Sequence, residues 1–157
     1  MLFSFVFVFR LEEFYYYCFK NNLGYPAIFT LNKLKKKHIF SSKGTKLSIE
    51  SIKVQHGKIN SFLYKINNSC AYVSDVSKIY KKDLNKLNKL NYLVVDCLRY
   101  DPHPSHFNLD DVLKLVNLIK PKKTILTNMN NEIDYLEIKK FLPKNVIPAF
   151  DGMNFLI

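Results

Sequence analysis

Arginine is almost missing from this basic chain. Among 24 lysines and arginines, only Arg10 and Arg99 carry a guanidinium, yet 13 acidic residues leave a formal net charge of +11. A basic surface attracts phosphates in general. The planar fork that grips phosphates and guanine edges bidentately belongs to arginine, however. The lysine excess comes with abundant asparagine and isoleucine, as A/T-biased coding produces, and reads as a solvated surface that allows a nucleic-acid partner without favouring one. Cysteine is scarce and odd in number. Cys18, Cys70 and Cys97 have no CxxC spacing and lie in or beside apolar stretches, which argues against a disulfide framework or a zinc ribbon and points to a reducing compartment, the cytoplasm. A membrane-length run is lacking too: "MLFSFVFVF" stops at Arg10, far short of the roughly 20 residues that span a bilayer. No basic region precedes it and no small-residue cleavage site follows, so a signal peptide is not expected either. Residues 1–13 are set apart as an apolar segment, expected as a buried strand.

What is present supports a folded domain. The chain has 157 residues, 48% of them apolar, enough for one core of ordinary size. No fixed-period repeat occurs, and only "YKKDLNKLNKLNY" is of low complexity. In "TKLSIESIKVQ", Leu47, Ile49, Ile52 and Val54 alternate with one slip, which predicts a bulge or tight turn between two strands. "SFLYKI" and "CAYVSD" flank "NNS" and read as a hairpin. "NYLVVDC" and "KTILT" are compact apolar runs suited to interior strands.

Leu109, Val112, Leu113, Val116 and Ile119 form one helical stripe. Asn108 is placed to cap it, Asp110 and Asp111 sit in its first turn, and Pro121 follows its end. Two more amphipathic segments are expected, at Leu84, Leu87 and Leu90 and from Tyr135 to Phe141. Strands come first, then helix, strand, helix, strand, helix and a final apolar segment. This order predicts a layered α/β fold whose chemistry lies where strand ends meet loops.

Several polar residues fall at those strand ends. His56 precedes Gly57 after "SIKVQ", Asp75 follows "AYVS", Asp96 sits inside "LVVDC", and Asn128 follows "TIL". The loop "RYDPHPSHF" packs Arg99, His103 and His106 between prolines just before a helix N-terminus, an arrangement suited to a phosphate or to proton transfer. Each has a plainer alternative: a surface imidazole, a turn-capping Asp75, or a loop that Pro104 and Ser105 merely shape. His56 and Asp75 supply two metal-ligand types, fewer than the three protein ligands of a catalytic zinc. A carboxamide at Asn128 binds metals weakly. From sequence alone, the chain does not close a metal site.

The blocks "GYPAI", "VQHGKINSFLYKI", "AYVSDVSKI", "VVDCLRYDPHPSHFNLDDVLKLV", "KTILTNMNNEIDY" and "LP...VIPAFDGM", in this order, resemble the metallo-β-lactamase fold superfamily. The resemblance is to its branch of PhnP-type cyclic phosphate phosphodiesterases related to RNase Z, and it covers residues 14–157. It implies the C-terminal portion of an αββα sandwich in which two zinc or manganese ions hold a hydroxide that attacks a phosphodiester. It further implies His56 as a metal ligand, Asp75 as the bridging carboxylate, His106 as the group serving the leaving oxygen or the phosphate, and His103 as its neighbour.

Two departures stand against the matches. The family's HxHxDH motif has no counterpart here, which is the pattern of a missing N-terminal half. Asn128 stands where the family places a ligand histidine in "LTHM". The resemblance therefore implies a metal-dependent phosphodiester hydrolase that is inactive as this isolated chain. It would be completed by a complementary N-terminal half or by self-association, without membrane attachment. The alternative is a non-catalytic binder of phosphate or nucleic acid, or a subunit that completes another chain.

Overall fold

The computed structural model describes residues 13–30, 32 and 35–157; the apolar run expected as a buried strand lies almost entirely outside them. The chain divides into two compact units, Met1–Lys35 and Lys36–Ile157. In the first unit a single turn of helix, α1 (Tyr16–Phe19), precedes a tight reversal in which Asn22 and Tyr25 exchange backbone hydrogen bonds of 2.9 Å. The amides of Ile28 and Phe29 return to the Cys18 carbonyl.

The second unit is built on a seven-stranded sheet whose spatial order follows the chain: β1 (Lys37–Ser42), β2 (Thr45–His56), β3 (Ile59–Ile66), β4 (Cys70–Val73), β5 (Tyr92–Asp96), β6 (Lys123–Thr127) and β7 (Val146–Pro148). The first four strands pair antiparallel, and β4 to β7 pair parallel. Lys43 and Gly44, both at positive φ, make the two-residue β1–β2 turn, the conformation that matches strand twist. The predicted "NNS" hairpin is present, with Asn67 and Asn68 both at positive φ, which asparagine tolerates better than most residues. The parallel crossovers carry α2 (Lys81–Leu84) with a 3-10 turn at Asn85–Leu87, α3 (Leu109–Ile119) and α4 (Tyr135–Phe141).

The helices meet one face of the sheet. Val112, Leu115, Val116 and Ile119 of α3 and Ile138 of α4 join Ile52, Val54, Leu63, Ala71, Val73, Leu93, Val95, Leu126 and Val146 in one core. Register places all these strand residues on the same side. Fully burying each of the Val, Leu and Ile side chains among them stabilises the fold by roughly 1.5–3 kcal/mol. The start of α3 is as predicted: the Asn108 side chain accepts the Asp111 amide, and the helix ends at Lys120 in the left-handed region just before Pro121.

Two expectations are corrected. The slip in "TKLSIESIKVQ" is neither bulge nor turn, because β2 runs unbroken from Thr45 to His56 in one register with β3. Leu47 and Ile49 lie on the side away from the helices, Ile52 and Val54 on the side toward them. The apolar requirement changes faces while the strand continues unbroken. The segment from Leu84 to Leu90 is not one amphipathic helix but a single α-turn, a 3-10 turn and Lys89 at positive φ. Asn85 and Asn88 break it, since asparagine sustains helix poorly, yet Leu87 and Leu90 are still buried. Among the described residues, no helix is long and apolar enough to cross a membrane.

Candidate metal centre

Because β2, β4, β5, β6 and β7 all run the same way, their C-terminal ends share one edge. Loops leaving such an edge are where α/β sheets gather ligands. His56 ends β2, Asp75 follows β4, Asp96 ends β5 and Asn128 follows β6.

The tip of the β2–β3 hairpin is tied to the loop after β4. Ser77 N donates to Gln55 O at 2.7 Å, Gly57 N donates to Ser77 Oγ at 3.0 Å, and Gln55 and Lys78 form an isolated bridge. This loop carries Asp75, at φ 51°. Its exposed carboxylate makes no hydrogen bond or ion pair to any described residue, so the turn-capping alternative does not hold.

The loop from Leu98 to Phe107 is closed at its base by Leu98 N donating to Phe107 O and Leu109 N donating to Arg99 O, at 3.0 and 3.1 Å. Arg99 spends Nε on the Asp101 carbonyl and a terminal nitrogen on that of Pro102, while Asn108 Nδ2 donates to Tyr100 O. The arginine that the sequence offered for a phosphate thus shapes its own loop. Gly57 lies against the same loop. At φ 57° a side chain is disfavoured there, and an added Cβ would sit 3.0 Å from Ser105 Cβ.

These connections bring three imidazoles together. The rings of His56 and His106 are 4.7 Å apart and nearly perpendicular, and His103 lies 5.3 Å from His106. His56 Nδ1 donates to Ser105 O at 2.7 Å, and His106 Nδ1 donates to Asp96 Oδ2 at 2.5 Å. With a carbonyl and a carboxylate accepting at Nδ1, each ring keeps its lone pair on Nε2, the arrangement that orients a metal-ligating histidine. His103 takes the opposite tautomer. Its Nδ1 accepts from Ser105 N at 3.3 Å and lies 3.2 Å from Ser105 Oγ, which leaves Nε2 as a donor. Partial burial, then the nearby Arg99 guanidinium and the His106 ring, hold the His103 pKa below its ordinary value of 6.5.

Donor atoms of His56, Asp75 and His106 all lie within 4.8 Å of one another. Two imidazoles and a carboxylate suit a borderline divalent cation. The sequence count of two ligand types therefore becomes three candidate donors in space. The missing donor was His106, fifty residues from His56 and visible in sequence only as part of a loop. Cys97 is not a donor, because burial, with Asp96 adding, pushes its thiol up to about 12.

Asn128, at φ 59°, turns its amide into the site and donates Nδ2–H to Asp96 Oδ1 at 3.1 Å. Asn130 shapes the following loop by accepting the Glu132 amide. Asp96, fully buried, thus anchors both His106 and Asn128. Sequence reasoning placed it at a strand end without a role; a lone carboxylate inside "LVVDC" was the available signal, since a buried carboxylate needs partners.

No family model and no curated protein matches the chain. Solved structures do. A diphosphatase from the PhnP family superposes with a TM-score of 0.76 at 26% identity, covering 91% of this chain and 52% of that one. The metallo-β-lactamase fold protein YhfI from Bacillus subtilis gives 0.62 at 14%, covering 78% and 54%. The short form of human tRNase Z gives 0.57 at 14%, covering 75% and 44%. The last two show the fold alone, and the first adds sequence similarity along nearly the whole chain. The chain therefore has the metallo-β-lactamase fold, is similar in sequence and structure to its PhnP branch, and spans about half the length of the solved structures it matches.

Proposed function

We propose that this chain is the C-terminal half of a divalent-metal-dependent hydrolase acting on phosphodiesters of the cyclic phosphate type, and that it turns over only when a second half supplies the HxHxDH ligands. The observation that carries the reading is the convergence of His56, Asp75 and His106 on one strand edge, with buried Asp96 behind His106. A bound divalent ion, zinc or manganese, supplies Lewis acidity and a hydroxide at neutral pH. In the assembled enzyme His56 and Asp75 would be this chain's ligands to it, beside those of the other half.

His106 moves the proton of the leaving oxygen in the assembled enzyme. Asp96 fixes its ring and stabilises the charge that develops on it. His103, with its proton on Nε2, donates a hydrogen bond to a phosphate oxygen. Asn128 contributes no ligand of useful strength, so Asn128→His alone leaves the isolated chain inactive.

Apolar residues on the sheet side away from the helices, including Phe40, Leu47 and Tyr72, are exposed at 54%, 36% and 43%. In this reading they receive the other sheet of the sandwich. The nucleic-acid alternative is weakened by Arg99, whose guanidinium is engaged with its own loop.

The test is complementation. The chain is co-expressed with the HxHxDH half of a PhnP-type protein, and hydrolysis of bis(p-nitrophenyl) phosphate is followed. The chain alone should be silent. The pair should cleave, lose activity to EDTA, and lose at least 100-fold in kcat with His106→Ala. Cleavage that survives EDTA, cleavage by the chain alone, or an assembled pair that does not cleave would each overturn the reading.

A further inference from the structure

We infer that in this chain by itself His106 is a metal ligand: His56, Asp75 and His106 hold one zinc-class divalent cation, and Asn128 is the positioning residue that keeps Asp96 turned toward His106. This deepens the metal-hydrolase reading and rests on it. It also gives a chemical reason for silence without a partner, because the imidazole needed to serve the leaving oxygen is occupied as a ligand.

The tautomers carry the argument. A histidine can coordinate only through a nitrogen that bears a lone pair, and both His56 and His106 have Nδ1 committed to an acceptor, Ser105 O and Asp96 Oδ2. A carboxylate or carbonyl behind the ring is the support that metal-binding histidines ordinarily have. His103 lies outside this group of donors, and its Nδ1 receives the Ser105 amide, so its remaining nitrogen holds a proton and offers nothing to a cation. Position and hydrogen bonds select the same two imidazoles.

Asp75 is the adjustable member. Donors around a tetrahedral zinc bound at about 2.0–2.2 Å lie roughly 3.4 Å apart, whereas these lie within 4.8 Å. The set must therefore contract. The two imidazoles are restrained by their Nδ1 hydrogen bonds, while the exposed Asp75 side chain has no hydrogen-bond or ion-pair partner among the described residues and can swing inward.

Asn128 completes the arrangement from behind. Its amide occupies Asp96 Oδ1, which leaves Oδ2 for His106. An amide in that place contributes a hydrogen bond to the supporting carboxylate instead of a ligand. One ion is then the expected complement.

The experiment uses the full chain freed of metal by chelator dialysis, titrated with Zn2+ by calorimetry and with Co2+ by visible absorption, with no substrate present. One ion per chain is expected. His106→Gln should weaken binding at least 100-fold and change the cobalt spectrum. Asn128→Leu should weaken it by about 10-fold, the lower end for loss of a supporting hydrogen bond. The remote His38→Gln should leave affinity unchanged.

Imidazole 15N spectra of the unaltered chain make the test independent of how variants fold: Zn2+ should move Nε2 of His56 and His106 and leave His103 as the Nε2–H tautomer. No binding, two ions per chain, unchanged affinity in His106→Gln, or coordination at His103 would each overturn the inference. These outcomes are separate from those of complementation, which reads hydrolysis by the assembled pair. A chain that binds one ion through His106 and never cleaves when paired loses the functional reading and keeps the site.

Discussion

On the helix side of the sheet, Val54, Leu63, Ala71, Val73, Leu93 and Val95 are completely buried. On the other side, Tyr72 keeps 43% and Phe40 54% of its surface exposed. The same strands contribute to both faces, so strand propensity does not distinguish them. The difference is what lies on top: α3 and α4 close one face, while at Tyr92 the other is met by Phe155, whose ring stacks 4.6 Å away. This chain covers only about half of the solved structures it matches, and the exposed apolar face is where a two-sheet sandwich would continue. The candidate metal centre lies at the strand ends where the two faces meet. One finished face thus suffices to position His56, Asp75, Asp96 and His106.

That contrast is open to direct attack. Leu93→Ala, on the finished face, should cost about 2–5 kcal/mol by removing packed volume from a core that cannot collapse around it. Tyr72→Thr, at a neighbouring strand position on the open face, should stay within about 0.5 kcal/mol and make the protein more soluble by trimming an exposed apolar patch. Urea unfolding of both variants reads the difference, and comparable losses would mean that the open face is covered in solution.

A smaller effect is expected where the hairpin tip meets the histidine loop. Gly57→Ala places a side chain at positive φ against Ser105 and should cost about 1–2 kcal/mol. Because Ser105 O holds His56, zinc affinity should fall as well, which separates this substitution from a purely structural one. Unaltered affinity would show that His56 does not depend on the Ser105 carbonyl.

The most delicate comparison is between imidazoles on the loop. His103 should titrate below its ordinary 6.5, first because it is partly buried and then because Arg99 and His106 oppose a second positive charge. Its contribution to stability is present above the unfolded pKa and is lost as pH falls below that value through the folded one. NMR titration checks this, and Arg99→Gln should move the midpoint upward. A midpoint at or above 6.5 would contradict the tautomer and environment assigned to His103.

Much of the fold was legible in one dimension. The α3 stripe, its Asn108 cap and the "NNS" hairpin follow from periodicity and local hydrogen bonding, which neighbouring residues decide among themselves. In β2 the slip between Ile49 and Ile52 records a change in which face needs apolar cover, and a linear pattern cannot distinguish this from a bulge. In the lysine and asparagine segment from Tyr80 to Tyr92, leucine spacing says where apolar groups go, not whether asparagine will sustain the helix between them.

The sequence by itself determined the residue chemistry at the strand ends: the absence of HxHxDH, the carboxamide at position 128, and the presence of His56, Asp75, His103 and His106. Tertiary structure alone decided which of these act together. Whether a histidine can bind a cation depends on which ring nitrogen carries the proton. That was settled by partners far away in the chain, Ser105 for His56, and ten residues back for His106, where a buried Asp96 is itself shared with Asn128. Residue order specifies the groups, and the hydrogen bonds of the folded loops choose between ligand and donor.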